Sequence, residues 1–222
     1  MMGPVSTLVR TALVLLATVL LAAAQASGAG PTREEALRAL TDAADPDLRK
    51  LGALGLAERG TMADVPVLAG ALRDPDPIVR AFAERALWEV WSRSGDAEID
   101  RLFERGLTEM RRGESETAVR TFGEVIRRRP EFAEGWNKRA TVYYLLGEYP
   151  KSLADCDEVM KRNAFHFGAL SGYGMIYLKL DQPARALTYF ERALDVNPNL
   201  DEVRETIEAL RALLLQRRKD TI

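Results

Sequence analysis

The chain has 222 residues, with 31 Lys and Arg against 33 Asp and Glu, 47% hydrophobic and 7% aromatic residues, one His and one Cys. A formal charge of −2 removes the simplest case for a nucleic-acid or anionic-membrane binder, since either partner demands a cationic face. One His and one Cys exclude a zinc cage, an intrachain disulfide and a Cys–His pair, so no metal or cofactor is expected.

The first thirty residues read as an address. No charge lies between Arg10 and Arg33, and Ala12 to Ala24 is almost wholly apolar, followed by the small residues of Ala24-Gln25-Ala26. A basic start, a short apolar middle and a small-residue cleavage site describe a secretory signal peptide over residues 1–26. Thirteen apolar residues make a helix of about 20 Å, short of a ~30 Å hydrocarbon core. A window starting at Val5 comes close to spanning, so retention as an anchor is the alternative. Cleavage would leave no membrane span and a periplasmic or secreted bacterial protein. In an oxidising compartment an exposed lone thiol is a liability, so Cys156 is expected to be buried.

From Thr32 onward the apolar residues recur at helical spacing and no stretch alternates cleanly, which predicts an all-α fold. Thr32-Arg33-Glu34-Glu35 has the form of a capping box opening a helix that runs to about Asp42. Asp45-Pro46 and Asp76-Pro77 each place a cap acceptor before a proline at the first helical position. They lie 31 residues apart, and the same offset aligns Leu48 with Val79, Arg49 with Arg80, Leu51 with Phe82 and Leu56 with Leu87. This pattern over residues 32–93 resembles HEAT-like repeats. Trp88 and Trp91 share one helix face there, as glue to the next segment or as core of the pair.

A second period begins near Ile99. At intervals of 34 the chain reads Leu102, Trp136, Leu170; Gly106, Ala140, Gly174; Ala118, Ser152, Ala186; Phe122, Cys156, Phe190; and Pro130, Ala164, Pro198. The succession of large, small, small, aromatic and proline is similar to the tetratricopeptide (TPR) signature, and three such units fit residues 96–200. Cys156 departs from it in place of an aromatic, Ala164 in place of proline and Asp181 in place of a turn glycine. Residues 201–218 form an amphipathic helix with Val203, Ile207, Leu210 and Leu214 on one stripe, as in a solenoid's capping helix. The whole is expected to be an α-solenoid of helical hairpins.

Isolated residues offer little chemistry. His166 has no second His or Cys with which to hold a metal and is expected to be loop-packed or solvated. Gly172-Tyr173-Gly174 follows no strand, so close helix packing explains it better than a phosphate loop. Arg127-Arg128-Arg129 and Arg217-Arg218-Lys219 end helices, where the dipole favours cations.

The resemblance to TPR domains implies that the first helix of each unit lines a groove for an extended peptide or partner protein. Carried onto this chain, the groove columns are Phe103, Leu107 and Met110; then Asn137, Lys138, Thr141 and Tyr144; then Ser171, Met175, Leu178 and Lys179. TPR proteins that grip a terminal carboxylate use Lys, Asn and Arg at positions that here read Phe103, Leu107, Lys138, Gly168 and Gly172, so that clamp does not carry over. The expected function is therefore a non-enzymatic exported scaffold or adaptor in envelope assembly or maintenance. A self-associating structural protein, as a homo-oligomer, is one alternative. A carboxylate hydrolase using Glu104 and Glu134 across a cleft is another.

Overall fold

The computed structural model describes residues 30–42 and 44–219; the proposed signal segment, residues 1–26, lies outside the described residues. Among the described residues the secondary structure is wholly helical, with no strand. Two compact units divide between Val90 and Trp91.

The first unit is built from α1 (Arg33–Asp42), α2 (Pro46–Arg59), a 3-10 turn (Met62–Asp64), α3 (Val65–Ala71) and α4 (Pro77–Trp91), whose last residue, Trp91, belongs to the second unit. Each start is capped by the residues that announce it in the sequence. The backbone N–H of Thr32 donates to Glu35 Oε2 at 2.8 Å while the N–H of Glu35 returns to Thr32 Oγ1 at 3.3 Å. Asp45 accepts from the N–H of Asp47 at 2.9 Å, and Asp76 from those of Ile78 and Val79 at 2.7 and 3.1 Å. The 31-residue repeat is also visible in side-chain bonds: Arg49 donates to Ala44 O, five residues back, and Arg80 to Pro75 O, five residues back. Arg49 further holds Asp74 through both carboxylate oxygens at 2.7 and 2.9 Å, a paired geometry stronger than a single contact. Leu40, Leu48, Leu56, Leu68, Leu72, Val79 and Leu87 are buried in this unit.

The second unit is a run of antiparallel hairpins: α5 (Ala97–Arg111) with α6 (Ser115–Arg128), α7 (Ala133–Leu145) with α8 (Tyr149–Arg162), and α9 (Phe167–Lys179) with α10 (Pro183–Val196). A last helix, α11 (Asp201–Lys219), follows. Each helix packs on the next in sequence. The small-residue column is what lets the helices of one hairpin approach. A Cβ added at Gly106 would lie 2.7 Å from the Phe122 ring, and one at Gly174 would lie 2.6 Å from Phe190. Gly113 and Gly147 turn the first two hairpins at φ +74°, and Asp181 turns the third at φ +50°, the left-handed region that glycine enters most readily. On α11, Ile207 and Leu210 are buried and Val203 and Leu214 half-buried, so the stripe read from the sequence is the face that packs against the hairpins. No described helix is long and apolar enough to cross a membrane.

Candidate functional site

The groove columns separate into two sets. Phe103, expected to face a partner, is 1% exposed and belongs to the core: its ring meets Phe132 edge-on at 5.2 Å and Phe122 at 5.7 Å. Leu107 and Met110 pack half-buried against the same cluster, whose other members include Ile99, Ala118 and Val125. The cause is Phe132, which enters from the loop before α7 and caps the face of α5 with an aromatic ring.

One unit further along the face opens. Asn137, Thr141 and Tyr144 of α7 and Ser171 and Met175 of α9 line one cavity of about 280 Å³, with Ala140, Ser152, Cys156, Gly168, Gly172 and Ile176 completing its walls. Lys138 and Lys179 are not in the lining. Lys138 turns to Glu134, its Nζ 2.8 Å from Oε1, and Lys179 is exposed. Leu178 packs half-buried against the cluster around Tyr173, Ile176 and Phe190. Cys156 is 2% exposed, as its position required, and burial beside Asp155 and Asp157 pushes its thiol up to about 12, which suppresses the reactive thiolate.

Behind the cavity lies a polar cluster that reading residues one at a time missed. Glu134 and His166 are both completely buried, with His166 Nε2 2.8 Å from Glu134 Oε2. His166 Nδ1 accepts the N–H of Ala169 and so caps α9. That leaves Nε2 as the nitrogen that donates its proton to Glu134. The amide nitrogen of Asn137 donates to both Glu134 oxygens at 3.1 Å. Burial opposes the charge on Glu134, but the His166 hydrogen bond and the Lys138 ammonium outweigh it and hold the carboxyl at about 2. The indole of Trp91 stacks on the His166 ring with centroids 4.4 Å apart. His166 is thus packed and bonded, and the solvated alternative does not hold. Glu134 is enclosed by its partners, whereas Glu104 is exposed on α5.

Trp136, in the large-residue column of the repeat, is half-buried. Its Nε1–H donates to Pro130 O at 2.9 Å, and the Arg139 and Arg162 guanidiniums stand 5.1 and 4.8 Å from its ring centroid. Arg139 also makes a two-point bond to Asp155, both contacts at 2.7 Å. The arginine-rich helix end is neutralised locally, Arg127 by Glu124, Arg128 by Glu98 and Arg129 by Glu131, so it forms no anion patch of its own.

Tetratricopeptide repeat models match residues 103–166 and 167–200. A TPR repeat-containing protein of Rhizobium etli is 33% identical over 138 residues, which are 62% of this chain and 67% of that one. The chain belongs to the TPR repeat family. Anaphase-promoting complex subunit 7 of Dictyostelium discoideum is 31% identical over 99 residues, 45% of this chain, but the match spans only 17% of that protein. Among solved structures, the first TPR domain of Spaghetti (RPAP3), bound to an HSP90 peptide, superposes with a TM-score of 0.52. The match is 21% identical and covers 54% of this chain and 96% of that one. At that identity the likeness is one of fold, and it places the α5–α10 hairpins in the TPR architecture.

Proposed function

We propose that this TPR protein is an interaction scaffold that holds an extended peptide segment of a partner protein on the face shared by α7 and α9. The observation that carries this reading is the cavity itself. Five residues chosen from the repeat columns, Asn137, Thr141, Tyr144, Ser171 and Met175, converge on one concavity, while the equivalent face of α5 is closed by Phe103 and Phe132. The solved TPR domain with an HSP90 peptide is an instance of the same fold holding a peptide. The specificity must come from the residues that line the cavity in this chain.

The scaffold acts outside the cytoplasm in the bacterial envelope, in assembly or maintenance, after loss of residues 1–26. This rests on the uncharged, apolar run between Arg10 and Arg33. The first unit is a HEAT-like pair, supported by the Asp-Pro starts 31 residues apart and the matching Arg49 and Arg80 bonds. Self-association is the second reading, favoured by Leu145 and Leu215, which are 63% and 60% exposed.

The test is capture from an envelope extract with Thr141→Glu/Met175→Glu against the unaltered chain. Both side chains are exposed, so melting should stay within the error of the parent while capture falls at least tenfold. Equal capture by the two chains would remove this face from the function. N-terminal sequencing of the chain recovered from the bacterial envelope should begin near residue 27, and retention of Met1 would refute cleavage.

A further inference from the structure

The cavity lies between α7 and α9, and two departures from the repeat pattern open it, one in the middle TPR unit and one in the third. In the first and third units an aromatic ring, Phe122 or Phe190, fills the space against a glycine. In the middle unit the same pair is Ala140 and Cys156, and a methyl facing a thiol occupies less than a phenyl ring does. The second departure is Gly172, in the interior of α9, where glycine costs about 1 kcal/mol relative to alanine. Packing does not require it. A Cβ at Gly172 would meet only Cys156 Sγ at 3.8 Å, an ordinary contact, in contrast to the 2.6 Å approach at Gly174 two residues on. An unrequired glycine on the wall of a cavity keeps that cavity open.

The lining contains no ionised side chain. Two of its four hydroxyls donate to backbone, Ser152 to Ala140 O at 2.7 Å and Thr141 to Asn137 O at 3.0 Å, while those of Tyr144 and Ser171 also face the lining. Asn137, 8% exposed, is oriented by Glu134, because a carboxylate can only accept; the amide nitrogen faces Glu134 and Oδ1 is the atom left for a ligand. The cavity therefore presents an acceptor in an apolar cup, backed by a carboxylate. A ligand carboxylate would find no cation in the lining to offset its charge and the Glu134 carboxylate behind Asn137, whereas a backbone N–H would find a partner in Asn137 Oδ1. At about 280 Å³ the space falls just below the ~300–1,000 Å³ of sites for whole small molecules, and suits one large side chain.

We infer that this cavity is the specificity pocket of the peptide-binding face: it takes one leucine-, methionine- or phenylalanine-sized side chain from the interior of an extended segment. The segment's backbone N–H donates to Asn137 Oδ1, and a chain-terminal carboxylate is rejected. This rests on the peptide-binding reading above.

The experiment is an NMR titration of the 15N-labelled full chain with acetylated and amidated nine-residue Gly/Ser/Thr peptides carrying Leu, Met, Phe, Ala, Asp or Lys at the centre. Two further Leu peptides complete the set, one ending in a free carboxylate directly after the Leu and one N-methylated at the Leu. The Leu, Met and Phe peptides should shift amides of α7 and α9 with Kd at least tenfold below the Ala, Asp and Lys peptides. The free carboxylate and the N-methyl group should each weaken binding about tenfold. Gly172→Leu should abolish it and Gly172→Ala, whose methyl fits, should weaken it in part, both with native helicity. Shifts on this face that ignore the central residue and both Gly172 variants would overturn the pocket and leave the peptide reading standing. No shifts with any peptide at millimolar concentration would overturn both. Tightest binding by the free-carboxylate peptide would overturn the rejection, and a change of mass in solution with Gly172→Leu would make a second copy the occupant.

Discussion

Two glycines on one helix should respond to the same substitution with different signs. Gly172→Ala and Gly174→Ala both replace a glycine inside α9, so both gain about 1 kcal/mol of helix propensity. At Gly172 the new methyl meets Cys156 Sγ at 3.8 Å, so the gain should survive intact. At Gly174 it would lie 2.6 Å from two atoms of the Phe190 ring, which is itself 2% exposed and enclosed by the Tyr173, Ile176 and Ala186 cluster. The ring must move by about 1 Å in a filled core, and overpacking of this kind costs roughly 1–3 kcal/mol. Because the propensity gain is common to both variants, their difference isolates the contact: Gly172→Ala should be the more stable by about 1–3 kcal/mol. Urea unfolding followed by circular dichroism measures it, with the slope in urea unchanged so that midpoints can be compared. Equal midpoints, or a more stable Gly174→Ala, would refute the claim that the small-residue column exists to admit the aromatic ring. Gly106→Ala against Phe122 should repeat the Gly174 result.

The buried cluster makes stability depend on acid. Glu134 is held at about 2 when folded, below its ordinary 4.5, so its contribution is full above pH ~4.5 and is lost as pH falls toward 2. Between pH 6 and pH 2 the parent should lose on the order of 3 kcal/mol more than Glu134→Gln, measured as urea midpoints; parallel losses would show that the pairing is not what holds the charge. His166→Phe should cost about 3 kcal/mol, because it removes a donor from a buried carboxylate while keeping a ring against Trp91. Chemical denaturation at pH 7 reports it, and a cost below 1 kcal/mol would mean that Glu134 is satisfied without the imidazole. Asp155→Ala should cost about 2 kcal/mol and change Trp136 emission, since it frees the guanidinium that lies over that indole. Unchanged emission would show that Asp155 does not position Arg139.

The features legible in the sequence were those fixed by neighbours in the chain. Thr32, Asp45 and Asp76 cap helices through bonds spanning two or three residues. The corners at 113, 147 and 181 follow from one repeat of 34, and even the exception, Asp181, adopts the positive φ that its column demands. The Glu134–His166 pair was not legible because its partners are 32 residues apart and meet only when one hairpin lies on the next. A signal was nevertheless present. Phe103 and Phe132, which touch in the first unit, become Asn137 and His166 when moved 34 residues on. Two apolar positions in mutual contact thus turn polar together, and Glu134 supplies the carboxylate that joins them. The same exchange explains the site. An aromatic pair closes the face of α5, whereas an amide bound from behind by Glu134 leaves the face of α7 open and sets which of its atoms a ligand meets. Fold stability and the proposed recognition in the middle unit therefore rest on one buried carboxylate. Changing Asn137 or Lys138 would disturb both at once, which is why Thr141, Met175 and Gly172 are the positions at which binding can be separated from folding.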